Sequence, residues 1–175
     1  MKNGNKKIFA FVFILFFLLA LSVCAYFVLK NSAGKLDGKM ASYKVLHVID
    51  GDTFVVKDNG SEKKVRMIGI DAPESAAYDK SENTPEGKAA AEYLKKLIEG
   101  KTVKLEFDVG MYDQYDRLLA YVYYNGEMIN KVLLKEGYAV TMTIQPNIKY
   151  ADEFYELQKE AQRSKKGFWK DYFEN

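Results

Sequence analysis

Charged side chains lie at both ends of the segment RMIGIDAPES, residues 66–75. Arg66 opens the segment, and Asp71 and Glu74 follow an apolar stretch near its end. Charged ends would keep a strand soluble, and Pro73 would stop it. The same spacing also allows one strand to deliver a cation, a metal ligand and a base to a single site, which is an arrangement suited to hydrolytic chemistry.

Asp52 and Asp71 are the candidate metal ligands. The sequence predicts that Asp52 starts the second strand, after a tight turn, and that Asp71 ends the third strand. Because these strands are predicted hairpin partners, both carboxylates reach one point. Oxygen ligands suit a hard cation such as Ca²⁺, and the backbone carbonyl of Ala72 would add a third. In the alternative interpretation, Asp52 is a turn residue and Asp71 only terminates a strand.

Glu74 is the candidate general base for a water molecule. Pro73 fixes φ just before it and stiffens the loop. The ordinary pKa of a glutamate is about 4.3 and that of water is about 15.7, so a cation or strong transition-state stabilisation must close the gap. Taken alone, Glu74 is better explained as a solvated loop acid.

Arg66 and Arg117 supply positive charge. Arg66 shares a face of the third predicted strand with apolar residues, where an arginine needs an anion. Two guanidinium groups can clamp a phosphoryl group, because each donates paired hydrogen bonds to its oxygens. The alternative is that each arginine forms a structural ion pair with a nearby aspartate. Tyr115 offers a surface for stacking bases, although strand tyrosines more often belong to a core or a barrel surface.

Five predicted strands and three predicted helices position these residues. The strands are 43–50, 53–57, 63–70, 102–107 and 118–124, and the helices are 85–99, 128–136 and 151–165. The first helix follows Thr84, a typical N-cap, and has Pro85 at its first position. This order predicts a mainly β (α+β) domain, a five-stranded barrel of the OB type, which has no open edge. An open α+β sheet is the alternative.

The N-terminal region predicts a membrane segment. Residues 8–29 contain no charge, have lysines on both sides and reach roughly 33 Å as a helix, enough to span a bilayer core of about 30 Å. We predict an anchor or signal in residues 1–30, a linker in 31–40 and a folded domain in 41–172, outside the cytoplasm at the cell membrane. Cleavage after Ala25 would instead give a secreted protein.

The net charge does not by itself predict binding to a polyanion. The chain has 26 basic and 24 acidic residues, a net charge of +2. Residues 1–30 hold four lysines and no acid, so residues 31–175 carry 22 basic against 24 acidic groups, a net charge of −2. Any affinity for nucleic acid must therefore come from the local placement of charge.

Several motifs occur together and in order along the chain. They are IDGDT (49–53), RMIGIDAPE (66–74), the helix start PE (85–86) and DQYDRLLAY (113–121). Over roughly residues 43–169, this set resembles the staphylococcal nuclease (thermonuclease) family. The resemblance implies an OB-fold nuclease that depends on Ca²⁺ and cuts DNA and RNA to leave 3′-phosphates.

The resemblance also implies roles for individual residues. By motif position, Arg66, Glu74 and Arg117 match the catalytic residues. Glu74 would activate water, and the two arginines would stabilise the pentacoordinate phosphorus and the leaving group. Calcium ligands are matched by Asp52, Asp71 and the carbonyl of Ala72. Tyr115 and Gln114 match substrate-binding positions. We expect a monomer that prefers single-stranded or unpaired regions of DNA and RNA.

The chain departs from the family at several positions near the substrate. Met142 and Ile144 stand where pocket tyrosines are usual, Gln114 replaces a lysine, and loop 76–83 is shorter and less basic. These changes put substrate affinity and base preference in question, but they leave the catalytic set complete. Two alternatives are a non-catalytic OB-fold module that binds nucleic acid or protein at the cell surface, and a hydrolase of another phosphodiester.

Overall fold

The computed structural model describes residues 40–75 and 83–172, without the side chains of residues 171 and 172. The predicted membrane segment, residues 8–29, and nearly all of the predicted linker lie outside the described residues. Among the helices of the described ranges, none is long and apolar enough to cross a membrane.

Five strands of the described residues close into a mixed barrel. In chain order, the strands are β1 (Met40–Val48), β2 (Thr53–Asp58), β3 (Ser61–Met67), β4 (Gly69–Asp71), β5 (Thr102–Glu106), β6 (Leu118–Tyr124), β7 (Glu127–Met128) and β8 (Val140–Met142). The barrel order is β3-β2-β1-β5-β6, and β3 pairs with β6 to close it. That closing pair is parallel, whereas the other pairs are antiparallel. The open sheet is therefore wrong, and barrel closure is confirmed.

A two-residue turn sets the register between β2 and β3. Asn59 and Gly60 both have positive φ, 46° and 89°, as a tight hairpin of type I′ requires. Pairing then runs from Asp58 opposite Ser61 to Thr53 opposite Arg66. The turn sequence therefore brings Arg66 beside the start of β2, next to Asp52.

The prediction of one continuous strand over 63–70 is wrong. The chain bends at Gly69, where φ is +78° and an added Cβ would lie 2.8 Å from the ring of Phe154. Past the bend, β4 leaves the barrel and pairs with β8, a three-residue strand that the sequence did not predict. Asp71 therefore ends β4 rather than the third barrel strand, and the bend turns it back toward Arg66.

The predicted helices are present, with small differences at their ends. They are α1 (Pro85–Ile98), α2 (Ile129–Lys135) and α3 (Ala151–Arg163), and a short fourth helix, α4 (Trp169–Tyr172), follows. The Thr84 hydroxyl caps α1 by accepting a hydrogen bond from the Gly87 amide at 2.9 Å. The apolar face of α1 is buried through Gly87, Ala90, Leu94 and Ile98.

The barrel interior forms the core. Its buried side chains include Val45, Phe54, Val65, Leu105 and Val122, and α3 adds Phe154. Asn130 of α2 is fully buried, and its amide group links β6 to Ile68, the residue between β3 and β4. It accepts a hydrogen bond from the Val122 amide and donates one to the Ile68 carbonyl, each at 2.9 Å. The second of these bonds gives the Ile68 carbonyl a partner at the bend that precedes β4.

Candidate active site

Arg66 joins the two predicted metal ligands. Its Nη2 atom lies 2.6 Å from Asp71 Oδ1 and 3.2 Å from Asp52 Oδ2. Because both oxygens contact one nitrogen, the two carboxylates face a common point. The hairpin register supplies Asp52 to this point, and the bend at Gly69 supplies Asp71. The predicted convergence of the two carboxylates is thus seen in the structure.

The Arg66 side chain is held in place by backbone carbonyls. Its Nη1 atom donates to Met67 O at 2.9 Å and to Ile70 O at 2.7 Å. Both hydrogens of Nη1 are used in these two bonds. The Nη2 group therefore has a fixed direction, toward the carboxylates and toward Met142 Sδ at 3.8 Å.

Asp52 is a buried carboxylate with several partners. It is 5% exposed, and it accepts hydrogen bonds from the Ala72 amide and the Thr53 hydroxyl, each at 2.8 Å. Burial raises the pKa of Asp52, although the charge of Arg66 and the bond from Ala72 oppose this shift. A nearby cation therefore stabilises the ionised form of this carboxylate.

The oxygen donors of Asp52, Asp71 and Ala72 are of the kind that a hard cation such as Ca²⁺ prefers, and in this structure Arg66 Nη2 contacts both carboxylates. Asp52, Asp71 and the carbonyl of Ala72 offer oxygen atoms only, and Ca²⁺ takes roughly six to eight of them. Within residues 40–75 and 83–172, no group of three or more acidic, histidine or cysteine side chains is arranged to hold a metal. Two carboxylates and a carbonyl would therefore leave the remaining ligand positions to water.

The backbone of Glu74 is fixed against the start of α1. Its carbonyl accepts a hydrogen bond from the Thr84 amide at 2.9 Å. The same carbonyl touches Gly87 so closely that a Cβ atom on residue 87 could not be placed there. Glycine in the first turn of α1 therefore permits the position of Glu74, while the Glu74 side chain itself is exposed.

The Glu74 carboxyl faces other acids. Its pKa is raised to about 7, first by a hydrogen bond with Asp50, then by partial burial and by the negative charges of Asp50, Asp52 and Asp71. A hydrogen bond between two carboxyl groups requires a proton between them, which favours the protonated form of Glu74. Glu74 thus lies near both predicted metal ligands.

Asp50 is a site residue that sequence reasoning missed. It is 8% exposed, and its Oδ1 accepts hydrogen bonds from the Gly51 amide at 2.7 Å and the Ser75 hydroxyl at 2.8 Å. The sequence had marked it only as part of a turn. The available sequence signal was a second acid at the start of the same turn as Asp52. Asp50 ties the loop that carries Glu74 to the turn before β2.

Arg117 is positioned by Asp113. Its Nε atom lies 2.6 Å from Asp113 Oδ2, and its amide donates to Asp113 Oδ1 at 3.0 Å. Burial alone would raise the pKa of Asp113, but bonds from Arg117 and Tyr115 outweigh it and lower that pKa. Both arginines thus have the aspartate partners that the structural alternative requires. The ion pair of Arg117 uses Nε, so Asp113 holds one edge of the guanidinium group and orients it.

A cavity of about 530 Å³ joins the two arginines. Its lining includes Arg66, Arg117, Tyr112, Gln114, Tyr115, Met142 and Ile144. Tyr115 is 71% exposed, and the Arg117 guanidinium lies 5.5 Å from its ring centre. The structure therefore brings the predicted substrate residues Tyr115 and Gln114 to the same cavity as both arginines. Asp52, Asp71 and Glu74 do not line this cavity, but Asp52 and Asp71 contact Arg66, which does.

Asn147 fixes one wall of the cavity and was not predicted as a site residue. It is 6% exposed, and its side chain makes two hydrogen bonds with Gly110. Asn147 Oδ1 accepts from the Gly110 amide at 2.7 Å, and Nδ2 donates to the Gly110 carbonyl at 2.8 Å. This pair connects the loop before β6 to the segment that carries Ile144.

Comparison with known proteins identifies the family. Residues 64–171 match the family model described as Staphylococcal nuclease homologue. The chain is 40% identical to the thermonuclease of Staphylococcus hyicus over 139 residues, which are 79% of this chain and 82% of that protein. It is also 40% identical to the thermonuclease of Staphylococcus intermedius over 140 residues, 80% of this chain and 82% of the relative.

A third relative is the endonuclease YncB of Bacillus subtilis. It is 39% identical over 133 residues, which are 75% of this chain and 63% of YncB. These relatives carry nuclease names, and they support nuclease, and therefore hydrolase, activity in this chain. The chain belongs to the staphylococcal nuclease family.

Proposed function

We propose that the chain is a Ca²⁺-dependent nuclease, built on a barrel of the OB type, that hydrolyses DNA and RNA outside the cytoplasm and leaves 3′-phosphates. The observation that carries the proposal is the position of Arg66 Nη2, between Asp52 and Asp71 and at the edge of a cavity shared with Arg117. Oxygen atoms that can bind a cation therefore lie beside N–H groups that can donate hydrogen bonds to a phosphate.

Glu74 is the general base in this proposal. It takes the proton from a water molecule whose oxygen attacks phosphorus, and the bond from phosphorus to the 5′ oxygen breaks. The neighbouring acids raise the pKa of Glu74 to about 7, and bound Ca²⁺ would lower this pKa and favour the ionised form that accepts a proton. The acids around Glu74 raise its basicity above that of an ordinary glutamate.

Arg66 and Arg117 stabilise charge on the phosphoryl oxygens and on the leaving oxygen. Arg66 acts through the N–H of Nη2 that is not bonded to Asp71, since both hydrogens of Nη1 are bonded to the backbone. Donors held in place before the reaction lower the barrier without reorganisation, and each is typically worth about 10²–10³ in rate. Asp52, Asp71 and the Ala72 carbonyl would hold Ca²⁺, which supplies further positive charge beside the phosphoryl group when it is bound.

The cavity favours an unpaired strand as substrate. Tyr115 and Ile144 are 71% and 61% exposed, so a nucleobase turned out of a stack can pack on them. Gln114, an exposed cavity residue, offers an amide to the sugar or phosphate. Because residues 31–175 have a net charge of −2, binding depends on the local arginines and on the cation.

The cellular arrangement is part of the same proposal. Residues 8–29 anchor the chain in the membrane, residues 31–40 form a linker, and the domain at 41–172 acts outside the cytoplasm as a monomer. Its apolar N-terminal run and flanking lysines support this arrangement. Cleavage after Ala25 would release the domain as a secreted enzyme.

Digestion with and without Ca²⁺ tests the proposed function. The full chain, purified in a mild non-ionic detergent, is incubated with single-stranded DNA or RNA in Ca²⁺ and in a chelator. We expect cutting that is lost in the chelator, is restored by added Ca²⁺ and yields 3′-phosphate ends. A folded chain that binds DNA without cutting it would instead be a binding module. Cleavage of other phosphodiesters only would indicate a different hydrolase.

A variant of one proposed Ca²⁺ ligand tests the metal site specifically. Asp71→Asn keeps the size of the side chain but removes its charge, and we expect the Ca²⁺ concentration for half-maximal activity to rise at least about tenfold. The matched control is Asp152→Asn, an exposed acid in the first turn of α3. The control should need no more Ca²⁺ than the parent chain does.

A further inference from the structure

We propose that Met142 is a site of reversible oxidation by peroxides, and that its sulfoxide inhibits the enzyme by binding Arg66. This inference rests on the proposed role of Arg66 in catalysis. Its starting point is the contact between Met142 Sδ and Arg66 Nη2, at 3.8 Å, on the wall of the shared cavity.

Met142 is accessible and fixed in position. It ends β8, where it pairs with Gly69 of β4, so its backbone is held next to the bend that brings Asp71 to Arg66. Its side chain is 42% exposed. Peroxide in solution can therefore reach the sulfur, while the strand pairing keeps that sulfur beside the guanidinium.

Each of the other methionines in the described residues lacks either the exposure of Met142 or its contact with Arg66. Met67 and Met128 are 1% and 5% exposed, and Met111 is partly buried against the core. Met40 is 48% exposed, but it lies at the start of β1, where it pairs with Glu106 of β5 rather than with β4. Met142 is thus the exposed thioether of the described residues that contacts a proposed catalytic side chain.

Oxidation changes how the sulfur meets Arg66. A peroxide transfers one oxygen atom to sulfur, so that the thioether is oxidised by two electrons and the peroxide is reduced to water or an alcohol. The thioether is a weak acceptor, whereas the sulfoxide oxygen is polar and accepts strongly. An oxygen added to a sulfur already 3.8 Å from Nη2 comes within hydrogen-bond distance of that nitrogen.

The new bond would compete with the substrate. Both hydrogens of Nη1 are bonded to Met67 O and Ile70 O, and one hydrogen of Nη2 is bonded to Asp71 Oδ1 at 2.6 Å. The second hydrogen of Nη2 faces Met142 on the cavity wall. A sulfoxide oxygen on Nη2 takes up the donor that a phosphoryl oxygen needs. Methionine sulfoxide reductases of both epimer specificities, supplied with a dithiol, would restore the thioether and release the donor. The sulfoxide oxygen leaves as water, and the dithiol is oxidised to a disulfide.

The test compares oxidised and reduced protein. The full chain in detergent is treated with hydrogen peroxide, oxidation at residue 142 is quantified by peptide mass spectrometry, and single-stranded DNA cleavage is measured. We expect activity to fall about tenfold or more as residue 142 is oxidised, a substantial part of the effect of one lost donor. Treatment with both reductases should restore it.

Two variants show which methionine is responsible, each compared with its own untreated sample. Met142→Leu should lose the sensitivity to peroxide, whereas Met40→Leu should keep it in full. Inhibition of Met142→Leu to the same extent as the parent chain would overturn the inference, as would full activity of parent chain oxidised at Met142. A drop in thermal stability that accounts for the lost activity would overturn it too.

A readout that does not need turnover separates this inference from the proposed function. Nitrogen resonances of the Arg66 guanidinium, recorded with ¹⁵N-labelled protein, should shift on oxidation of the parent chain and not of Met142→Leu. If the chain cuts no DNA before treatment, the proposed function fails, and these resonances still decide whether the sulfoxide binds Arg66. Unchanged resonances would contradict the inference.

Discussion

The first turn of α1 touches the carbonyl oxygen of Glu74 at Gly87, where no Cβ atom fits. This contact sets the position of the proposed general base through the backbone rather than through the side chain. The Thr84 amide donates to the same carbonyl. Helix α1 therefore acts as a support for the loop that carries Glu74.

Gly87→Ala should lower activity although it favours the helix. Elsewhere in a helix, this substitution gains about 1 kcal/mol in helix propensity. Here the added methyl group must push the Glu74 backbone away, and a displacement of about 1 Å can cost about 10²-fold in rate. Single-turnover cleavage of DNA measures the effect. Lys88→Ala, at the next and exposed position, is the control, and equal activity of the two variants would refute this role of Gly87.

Asp50 should matter to activity through its contacts with the Glu74 loop. Asp50→Ala removes the acceptor for the Ser75 hydroxyl and the Gly51 amide, and we expect kcat to fall about tenfold. Asp50→Asn keeps an acceptor oxygen and should lose less. Steady-state kinetics would show the loss in kcat rather than in KM. Full activity of Asp50→Ala would mean that the loop is held without it.

Glu106 should stabilise the barrel in a pH-dependent way. It is 2% exposed and accepts hydrogen bonds from Lys149 Nζ at 2.7 Å, Tyr123 OH at 2.6 Å and Tyr150 OH at 3.1 Å. Burial alone would raise the pKa of Glu106, but these donors outweigh it, and the pKa is lowered from 4.5. Asp108, the neighbouring acid, is bonded to other groups.

The sign of the pH effect follows from that shift. Because the folded-state pKa lies below the unfolded one, the stabilisation is fully present above pH 4.5 and is lost as pH falls through the folded-state pKa. Glu106→Gln should lower the free energy of unfolding near pH 7 by about 3 kcal/mol and flatten its dependence below pH 4.5. Urea unfolding at several pH values measures both effects. Glu127→Gln, at an exposed acid, should match the parent chain, and a similarly small change in Glu106→Gln would exclude this role.

Local sequence signals were enough to predict the hairpin that carries half of the site. Asn59-Gly60 demands a two-residue turn, and that turn alone puts Arg66 opposite Thr53, beside Asp52. The start of α1 was equally local, since Thr84 and Pro85 mark it. Patterns within a few residues therefore located both elements.

Long-range contacts account for what the sequence did not reveal. Gly69, where the chain bends, packs against the ring of Phe154, which is far away in the chain, and β8 is a strand because β4 pairs with it. Asp50 meets Ser75 across 25 positions, and Asn147 meets Gly110 across 37. None of these contacts produces a recognisable periodic pattern of residues in the sequence around it.

The most direct test of the account is the cleavage rate of Arg117→Ala. Arg117 lines the cavity and is oriented by Asp113, so its removal deletes one proposed transition-state donor. With saturating single-stranded DNA and Ca²⁺, we expect kcat to fall about 10²–10³-fold while the thermal midpoint stays near that of the parent chain. Arg163→Ala, at the exposed end of α3, is the matched control. An unchanged kcat for Arg117→Ala would contradict the account.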